Sequence, residues 1–492
     1  GVSYLSSDSE GKALRPSILI SKLKKIFPNI KEISDVTKEN MEIINKNQTF
    51  YDLLNNLRKL KDGQEIDEMW YSIYTYYNSK ENWKIKLQNS MKAFEYTNIP
   101  DKIEKEVIKR LYGDTLKTSV SKLEKYSACP FSFYLQYGLK LSTKTKLKVE
   151  RINTGTFMHD VIDSFFENIK EKKILLKEIT EEKIKKEINN IVNEKISLPA
   201  NYMFTSTPKY IVLVNRLKRV LFKSICYIIK SLVESDFDIL GNEIEFKEDS
   251  KYKPIVIKMD DGTKIQITGK IDRIDIAKTE NCDYIRIIDY KSSTKDMDLN
   301  EIKGGLKLQL LTYLEEACKV EQKEPAGVLY FNLIEPIIKL KRTSTEEEIE
   351  KEVKKSFKMK GIILSDVKVV KMMDKNLSVG ASDKIPAYLD KEGNISNGKS
   401  NAVTVEQFEY LQKYINKIIK EIGKEMLKGN ISIKPYYKLK DKTSPCKYCD
   451  YKSICQFNKC GCKNEYRYIT YEDKQIVLEN IKEEVLGGKN KC

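Results

Sequence analysis

Two short apolar runs, each closed by an acidic residue, constrain this chain more than any other feature. The first is Gly269-Lys270-Ile271-Asp272-Arg273-Ile274-Asp275 and the second is Ile287-Ile288-Asp289-Tyr290-Lys291. Isoleucine at this density favours extended strands, and in a strand the side chains i and i+2 share a face. Asp289 and Lys291 therefore point together, and Tyr290 points away. By the same alternation Asp272 and Asp275 fall on opposite faces, so both can serve one metal only across a bulge. Carboxylates converging on a divalent cation, with a lysine beside them, can drive attack on a phosphodiester. An acid beside an apolar strand is more often a solvated edge or a turn cap. A D-x-K triplet by itself also says little in a chain this rich in lysine. The weight lies in the conjunction.

The surroundings read as an α/β core. Ile255-Val256-Ile257, the turn signal Asp260-Asp261-Gly262 and the alternating Lys264–Thr268 predict a hairpin. Helices are expected over Gly155–Ile169, Tyr210–Glu234, Leu306–Lys319 and Val405–Lys428, from apolar residues at helical spacing. Gly327–Phe331 reads as a buried strand, and the Lys-, Asp-, Gly- and Ser-rich stretch Met372–Ala402 as a mobile loop. Residues 1–117 read as polar and helical, with Trp70, Tyr71, Tyr74, Tyr76 and Tyr77 forming either a helix-packing cluster or a base-stacking patch. No G-x-x-x-x-G-K-[ST] loop occurs anywhere, so this stretch carries no recognisable ATP site.

Length and charge bound the possibilities. The 492 residues allow two to four domains with substantial cores. A net charge of +16, from 88 basic against 72 acidic residues, suits a polyanionic partner. A lysine- and isoleucine-rich proteome would give the same balance, and the sequence leaves both open. No apolar run is long enough to span a membrane. The start, Gly1-Val2-Ser3-Tyr4, has neither an initiator Met nor a signal-peptide pattern and reads as internal to a longer protein. Of the ten cysteines, five fall between Cys446 and Cys462, which is no disulfide framework. A cytoplasmic, metal-binding thiolate site is expected.

Cys446-x-x-Cys449-x5-Cys455 supplies three thiolates, but a zinc ribbon would show a second C-x-x-C pair. Three clustered cysteines and one distant one suit an iron–sulfur cluster. Cys129, followed by Pro130 and an aromatic run, is the natural fourth, with Cys460 and Cys462 as competitors. Such a link would staple distant parts of the chain. His159 is the only histidine; a lone helical His is more often packed or at the surface, but beside a metal site it can ligate the cation or a phosphate. Gln309 and Tyr313, four apart, share a helix face and can brace a catalytic lysine or touch DNA, or merely decorate a surface. Glu243 is a possible third acid, and its neighbour Glu245 competes on composition alone.

These segments resemble a known family. From Ser119 to about Phe457 the chain is similar to the nuclease domain of AddB, the B subunit of the bacterial AddAB (RexAB-like) ATP-dependent helicase–nucleases. The matching pieces are Tyr126–Phe131, Gly155–His159, Gly269–Asp275, Asp289–Ser292, Leu308–Tyr313 and Pro445–Asp450, in the expected order. The resemblance implies a PD-(D/E)XK, RecB-type nuclease core over residues 118–470 with a 4Fe–4S cluster. It also implies a preceding remnant of a helicase-like region (1–117) and a C-terminal tail (471–492). Asp272 and Asp289 would hold magnesium, Lys291 would be the catalytic lysine and His159 an accessory metal or phosphate ligand. Gln309 and Tyr313 would support them, with Glu243 matching loosely, and Cys129, Cys446, Cys449 and Cys455 would hold the cluster. The implied partners are DNA, as single strands and duplex ends, and an AddA-like subunit. The implied activity is exonucleolytic cleavage, with 5′→3′ polarity, in recombinational double-strand-break repair. A stand-alone exonuclease of the CRISPR-adaptation kind and a catalytically silent DNA-binding module are the rival readings.

Overall fold

The computed structural model describes residues 2–7, 13–30, 32, 45–95, 97–113, 115–144, 149, 151–335, 345–458 and 464–487. Cys460 and Cys462 lie outside them. The chain divides into two compact units, 1–96 and 97–492.

The first unit is helical, with Lys46–Lys61, Met69–Ser79 and Glu81–Lys92 packed around Phe50, Leu53, Trp70, Ile73, Tyr77 and Leu87. The aromatic group divides: Trp70 and Tyr77 are buried and Tyr74 packs against them, whereas Tyr71 and Tyr76 are exposed. The Tyr77 ring lies 5.3 Å from Phe50 and 5.0 Å from Trp83, distances at which edge-to-face pairs add to burial.

The second unit holds the strands β1 (Thr115–Ser119), β2 (Asp238–Glu245), β3 (Ile255–Lys258), β4 (Lys264–Thr268), β5 (Lys270–Ala277), β6 (Tyr284–Lys291), β7 (Glu324–Asn332), β8 (Lys360–Leu364), β9 (Gly380–Ala381), β10 (Tyr388–Leu389), β11 (Ala402–Val403), β12 (Tyr436–Lys438) and β13 (Arg467–Ile469). Six of them form one mixed sheet in the order β11-β8-β7-β6-β5-β2. Its centre pairs β5 with β6 antiparallel and β6 with β7 parallel. The expected hairpin exists as β3–β4, but it belongs to a separate three-stranded sheet that β1 completes. The β6, β7 and β8 side chains are buried almost throughout, as in a sheet covered on both faces.

Helices supply that cover. Gln309–Glu321 packs on β6 and β7, while Tyr227, Ile228 and Ser231 of Pro208–Val233 meet Arg273, Arg286 and Tyr290 across the reverse face. Pro208–Val233 starts where the Thr207 hydroxyl accepts from the Tyr210 N–H and Pro208 fills the first turn. Val405–Leu427 begins on a reciprocal Thr404/Gln407 capping box. The four expected helices all form, within a few residues of their anticipated ends.

The expected mobile loop is a packed excursion. Between Met372 and Ala402 the chain makes β9 and β10 and buries Ile385, Ala387 and Leu389. Lys384, 7 % exposed, is neutralised by Asp374 and Glu234, both at 2.7 Å. The polar composition that predicted mobility instead satisfies a buried ion network. Residues 97–117 and the helix Lys474–Val485, placed by sequence with the helical region and the tail, both sit within the second unit. Val477, Leu478 and Ile481 are part of its core.

Candidate active site and thiol cavity

The two acid-closed runs are β5 and the end of β6, and strand alternation sorts their polar residues. Arg273 pairs across from Ile288 and Asp275 across from Arg286, so Arg273, Asp275 and Arg286 share one face. There Asp275, fully buried, takes Arg273 at 2.5 and 2.7 Å and Arg286 at 2.9 Å. Asp272, Asp289 and Lys291 lie on the other face. Asp275 is thus excluded from any site shared with Asp272, as the alternation requires.

On the Asp272 face, the Asp272 Oδ2 accepts the Tyr290 N–H at 2.8 Å and stands 3.4 Å from His159 Nδ1. His159 comes from the helix Arg151–Glu171, where Gly155 lets the helix approach the Ser292 hydroxyl; a Cβ there would lie 3.2 Å from it. Glu243 of β2 completes the group. Its neighbours Asn242 and Ile244 pair with Arg273 and Ile271, which sets Glu243 opposite Asp272. Its φ of +50° is a left-handed conformation that a glutamate adopts only at a cost. Among the described residues, the group of three possible ligands within 4.8 Å of one another is His159, Glu243 and Asp272. Glu245, the rival acid, pairs with Lys247, and Glu243 also pairs with Lys270.

Asp289 is 4 % exposed, and Lys291 Nζ lies 2.5 Å from its Oδ2. Burial, reinforced by the Asp272 charge, pushes the Asp289 carboxyl up to about 6 despite Lys291 and His159. Burial pulls the His159 imidazole down, but the hydrogen bond and charge of Asp272 outweigh it and its pKa ends raised. Mutual repulsion of buried carboxylates is what a bound cation relieves.

Gln309 and Tyr313 lie on the helix above this face. Tyr313 is 2 % exposed, its oxygen receives the Lys270 N–H and its ring lies 5.0 Å from Phe246. Gly269 is what admits it: a Cβ there would overlap the Tyr313 hydroxyl. Tyr313 therefore braces the β4–β5 turn from within the core. The residue that sequence reasoning missed is Glu124, whose Oε1 accepts the N–H of Leu308 at 2.7 Å and of Gln309 at 3.1 Å. It lies on the helix Val120–Ala128, and nothing in the sequence pairs that segment with residue 308.

Cys129, Cys446, Cys449 and Cys455 line one cavity of about 60 Å³ with Phe131, Pro435 and Tyr451, all four as free thiols. Burial pushes the Cys129 thiol up, while the N–H groups of Ser132, Phe131 and Lys434 donate toward its sulfur. Burial likewise carries Cys455 to about 11. The distant Cys129 does join the C-terminal three.

Residues 117–456 match the PD-(D/E)XK nuclease superfamily, and residues 37–93 match the fifth domain of the ATP-dependent helicase/deoxyribonuclease AddB. The chain belongs to the PD-(D/E)XK nuclease superfamily. Its curated relatives include the B subunit of the ATP-dependent helicase/deoxyribonuclease of Clostridium acetobutylicum, 38% identical over 98% of this chain and 43% of its own length. The corresponding protein of Clostridium novyi is 40% identical over 98% and 43%, and that of Acetivibrio thermocellus 38% identical over 96% and 42%. The resemblance read from the motifs thus holds along nearly the whole chain. The chain spans less than half the length of these relatives. Among the described residues no helix is long and apolar enough to cross a membrane.

Proposed function

We propose that this chain is the nuclease portion of the B subunit of a helicase–nuclease, and that it is a magnesium-dependent exonuclease acting in the cytoplasm during recombinational double-strand-break repair. Its substrates are single strands, delivered by an AddA-like helicase partner and cut with 5′→3′ polarity. The observation that carries the reading is the meeting of His159, Glu243 and Asp272 within 4.8 Å, with the Asp289–Lys291 pair beside them.

In this reading Asp272 and Asp289 hold the cation, with His159 and Glu243 completing its surroundings. A donor set dominated by carboxylate oxygen suits a hard divalent ion. When bound, the ion supplies Lewis-acid stabilisation of the charge that builds on the phosphate. Lys291 positions or deprotonates the attacking water, and Asp289 holds Lys291 in place at 2.5 Å. Gln309 and Tyr313 brace the strands that present these groups.

The four cysteines hold a 4Fe–4S cluster that clamps the domain. No three of the described thiol sulfurs fall within 4.8 Å of one another, whereas one tetrahedral zinc wants its sulfurs roughly 3.8 Å apart. Wider spacing around a shared cavity, with N–H groups aimed at sulfur, favours a polynuclear cluster.

The test is cleavage of end-labelled single-stranded DNA by anaerobically purified protein, with and without magnesium, and with Asp289→Ala as control. Release of label from the 5′ end, dependent on both magnesium and Asp289, is expected, together with about four irons per chain. DNA binding without any cleavage would reverse the reading in favour of a silent binding module.

A further inference from the structure

We propose that Glu124 is a positioning residue for the reaction: its carboxylate docks the helix that carries Gln309 and Tyr313 onto the Asp272–Asp289 face. This rests on the nuclease reading above and goes beyond it, because neither the motifs nor the proposed cation site involves Glu124.

The helix Gln309–Glu321 begins without a cap of its own. Leu308 at its N-cap position has helical backbone angles and no side chain able to accept a hydrogen bond. Its first amides are therefore orphan donors at the positive end of the helix dipole. Glu124 answers both deficits from the helix Val120–Ala128, taking the Leu308 and Gln309 N–H groups on one oxygen. Burial raises the Glu124 pKa, and its hold on the helix is geometric: one oxygen accepts two backbone N–H groups that nothing in the helix itself satisfies.

The same carboxylate feels the charges of Lys291 and Lys295. It thus lies between the catalytic-strand lysine and the helix that braces that strand. From the capped end the helix carries Tyr313 one turn further, to Gly269 and the Lys270 N–H. Lys270 in turn pairs with Glu243. Each link is a direct contact, so loosening the cap loosens the placement of Glu243 and Asp272.

A second contact fixes the approach to the same helix. Arg467 donates to the Gly304 carbonyl and to the Ser127 carbonyl, both at 2.7 Å, and the Ser127 hydroxyl donates to Gly304 O at 3.3 Å. Gly305, with φ +72°, sits against that hydroxyl. The helix Val120–Ala128 therefore holds the 304–309 turn at two points, and its next residue is Cys129 of the thiol cavity. Of the two holds, Glu124 is the one that feels the Lys291 charge and so lies nearest the reacting groups.

The test compares Glu124→Gln, Glu124→Ala and Glu124→Asp in the whole chain. The amide oxygen of Gln keeps the acceptor, Ala removes it, and Asp keeps the charge but falls one methylene short. Amide hydrogen exchange over residues 306–313 reads the docking directly, and kcat, KM and single-strand affinity read its consequence. Glu124→Ala and Glu124→Asp are expected to speed exchange in that segment and lower kcat roughly 10- to 100-fold, the penalty of a small misplacement. DNA affinity should stay within about twofold, since no DNA contact is removed. Glu124→Gln should stay close to wild type in both readouts. Should Glu124→Ala fail to fold, the Asp and Gln pair still decides. Exchange and kcat unchanged in Glu124→Asp and Glu124→Ala, in an active wild-type background, would overturn this inference alone. An inactive wild-type chain would remove the nuclease reading, and this inference with it.

Discussion

The two faces of the β5–β6 pair carry the same residue types and do opposite things. On the reverse face, Asp275 is shared by Arg273 and Arg286, all three shut away from solvent, and Arg286 lies 4.4 Å from the Phe237 ring. Every carboxylate oxygen there has a cation. On the other face, Asp272 and Glu243 crowd around His159 with Lys270 paired to Glu243, and Asp289, paired with Lys291, is raised to about 6 by burial. One face is closed by ion pairs, and on the other Asp272, Glu243 and His159 come within 4.8 Å of one another. Acids only three residues apart in sequence, Asp272 and Asp275, fall on opposite sides of that divide because a strand alternates. A fully buried ion pair holds structure, while the part-exposed lysines Lys291 and Lys270 are what pair Asp289 and Glu243 on the other face.

Asp289 is where the two faces should part most. Replacing it with Ala should cost cleavage at least roughly 10³-fold, about 4 kcal/mol of barrier, while single-strand binding persists. Steady-state cleavage alongside fluorescence anisotropy checks both halves.

Asp275→Ala should do the reverse and attack the fold. Removing one partner of a buried network leaves two guanidiniums unpaired, at a cost of about 3–5 kcal/mol. Urea denaturation should show it, or the protein should fail to accumulate. A variant that folds normally yet loses cleavage would merge the two faces into one.

A smaller effect sharpens the contrast from the other side. With divalent ions chelated, Asp289→Asn should raise stability by about 3 kcal/mol at neutral pH. The folded-state carboxyl titrates near 6, above its unfolded value, so the native state binds more protons in between. Wild-type stability from this group therefore falls as pH rises from about 4 to 6, and the Asn variant should not show that slope. Thermal melts across this range read it. Smallest of all, Tyr290→Phe removes a 3.4 Å contact to Arg273 and should cost under about 1 kcal/mol.

The sequence made the facing of Asp289 and Lys291, and the separation of Asp272 from Asp275, legible through strand periodicity alone. It could not choose Glu243 over Glu245, because alternation puts both on one face and only the strand register sets Glu243 opposite Asp272 and Glu245 opposite Lys270. Register has no compositional mark. The nearness of His159 to Asp272, and of Cys129 to Cys446, was expected from the chemistry of the side chains and from resemblance, since no local rule brings such distant segments together. Gln309 and Tyr313 were read as sharing a helix face, but Tyr313 proves to be a core residue fitted against Gly269. Glu124 stayed hidden because a cap supplied from another element leaves no spacing to read. The Met372–Ala402 excursion was misread because polar residues paired in a core look, in sequence, like polar residues in solvent.

The central claim is that a cation belongs to the Asp272 face and to no other part of this strand pair. Calorimetric titration of magnesium into the wild-type chain and Asp272→Asn tests it most directly. One magnesium site in the wild type, lost in Asp272→Asn with the melting temperature kept, is the predicted result. An undiminished site in Asp272→Asn, or no site in the wild type, would contradict it.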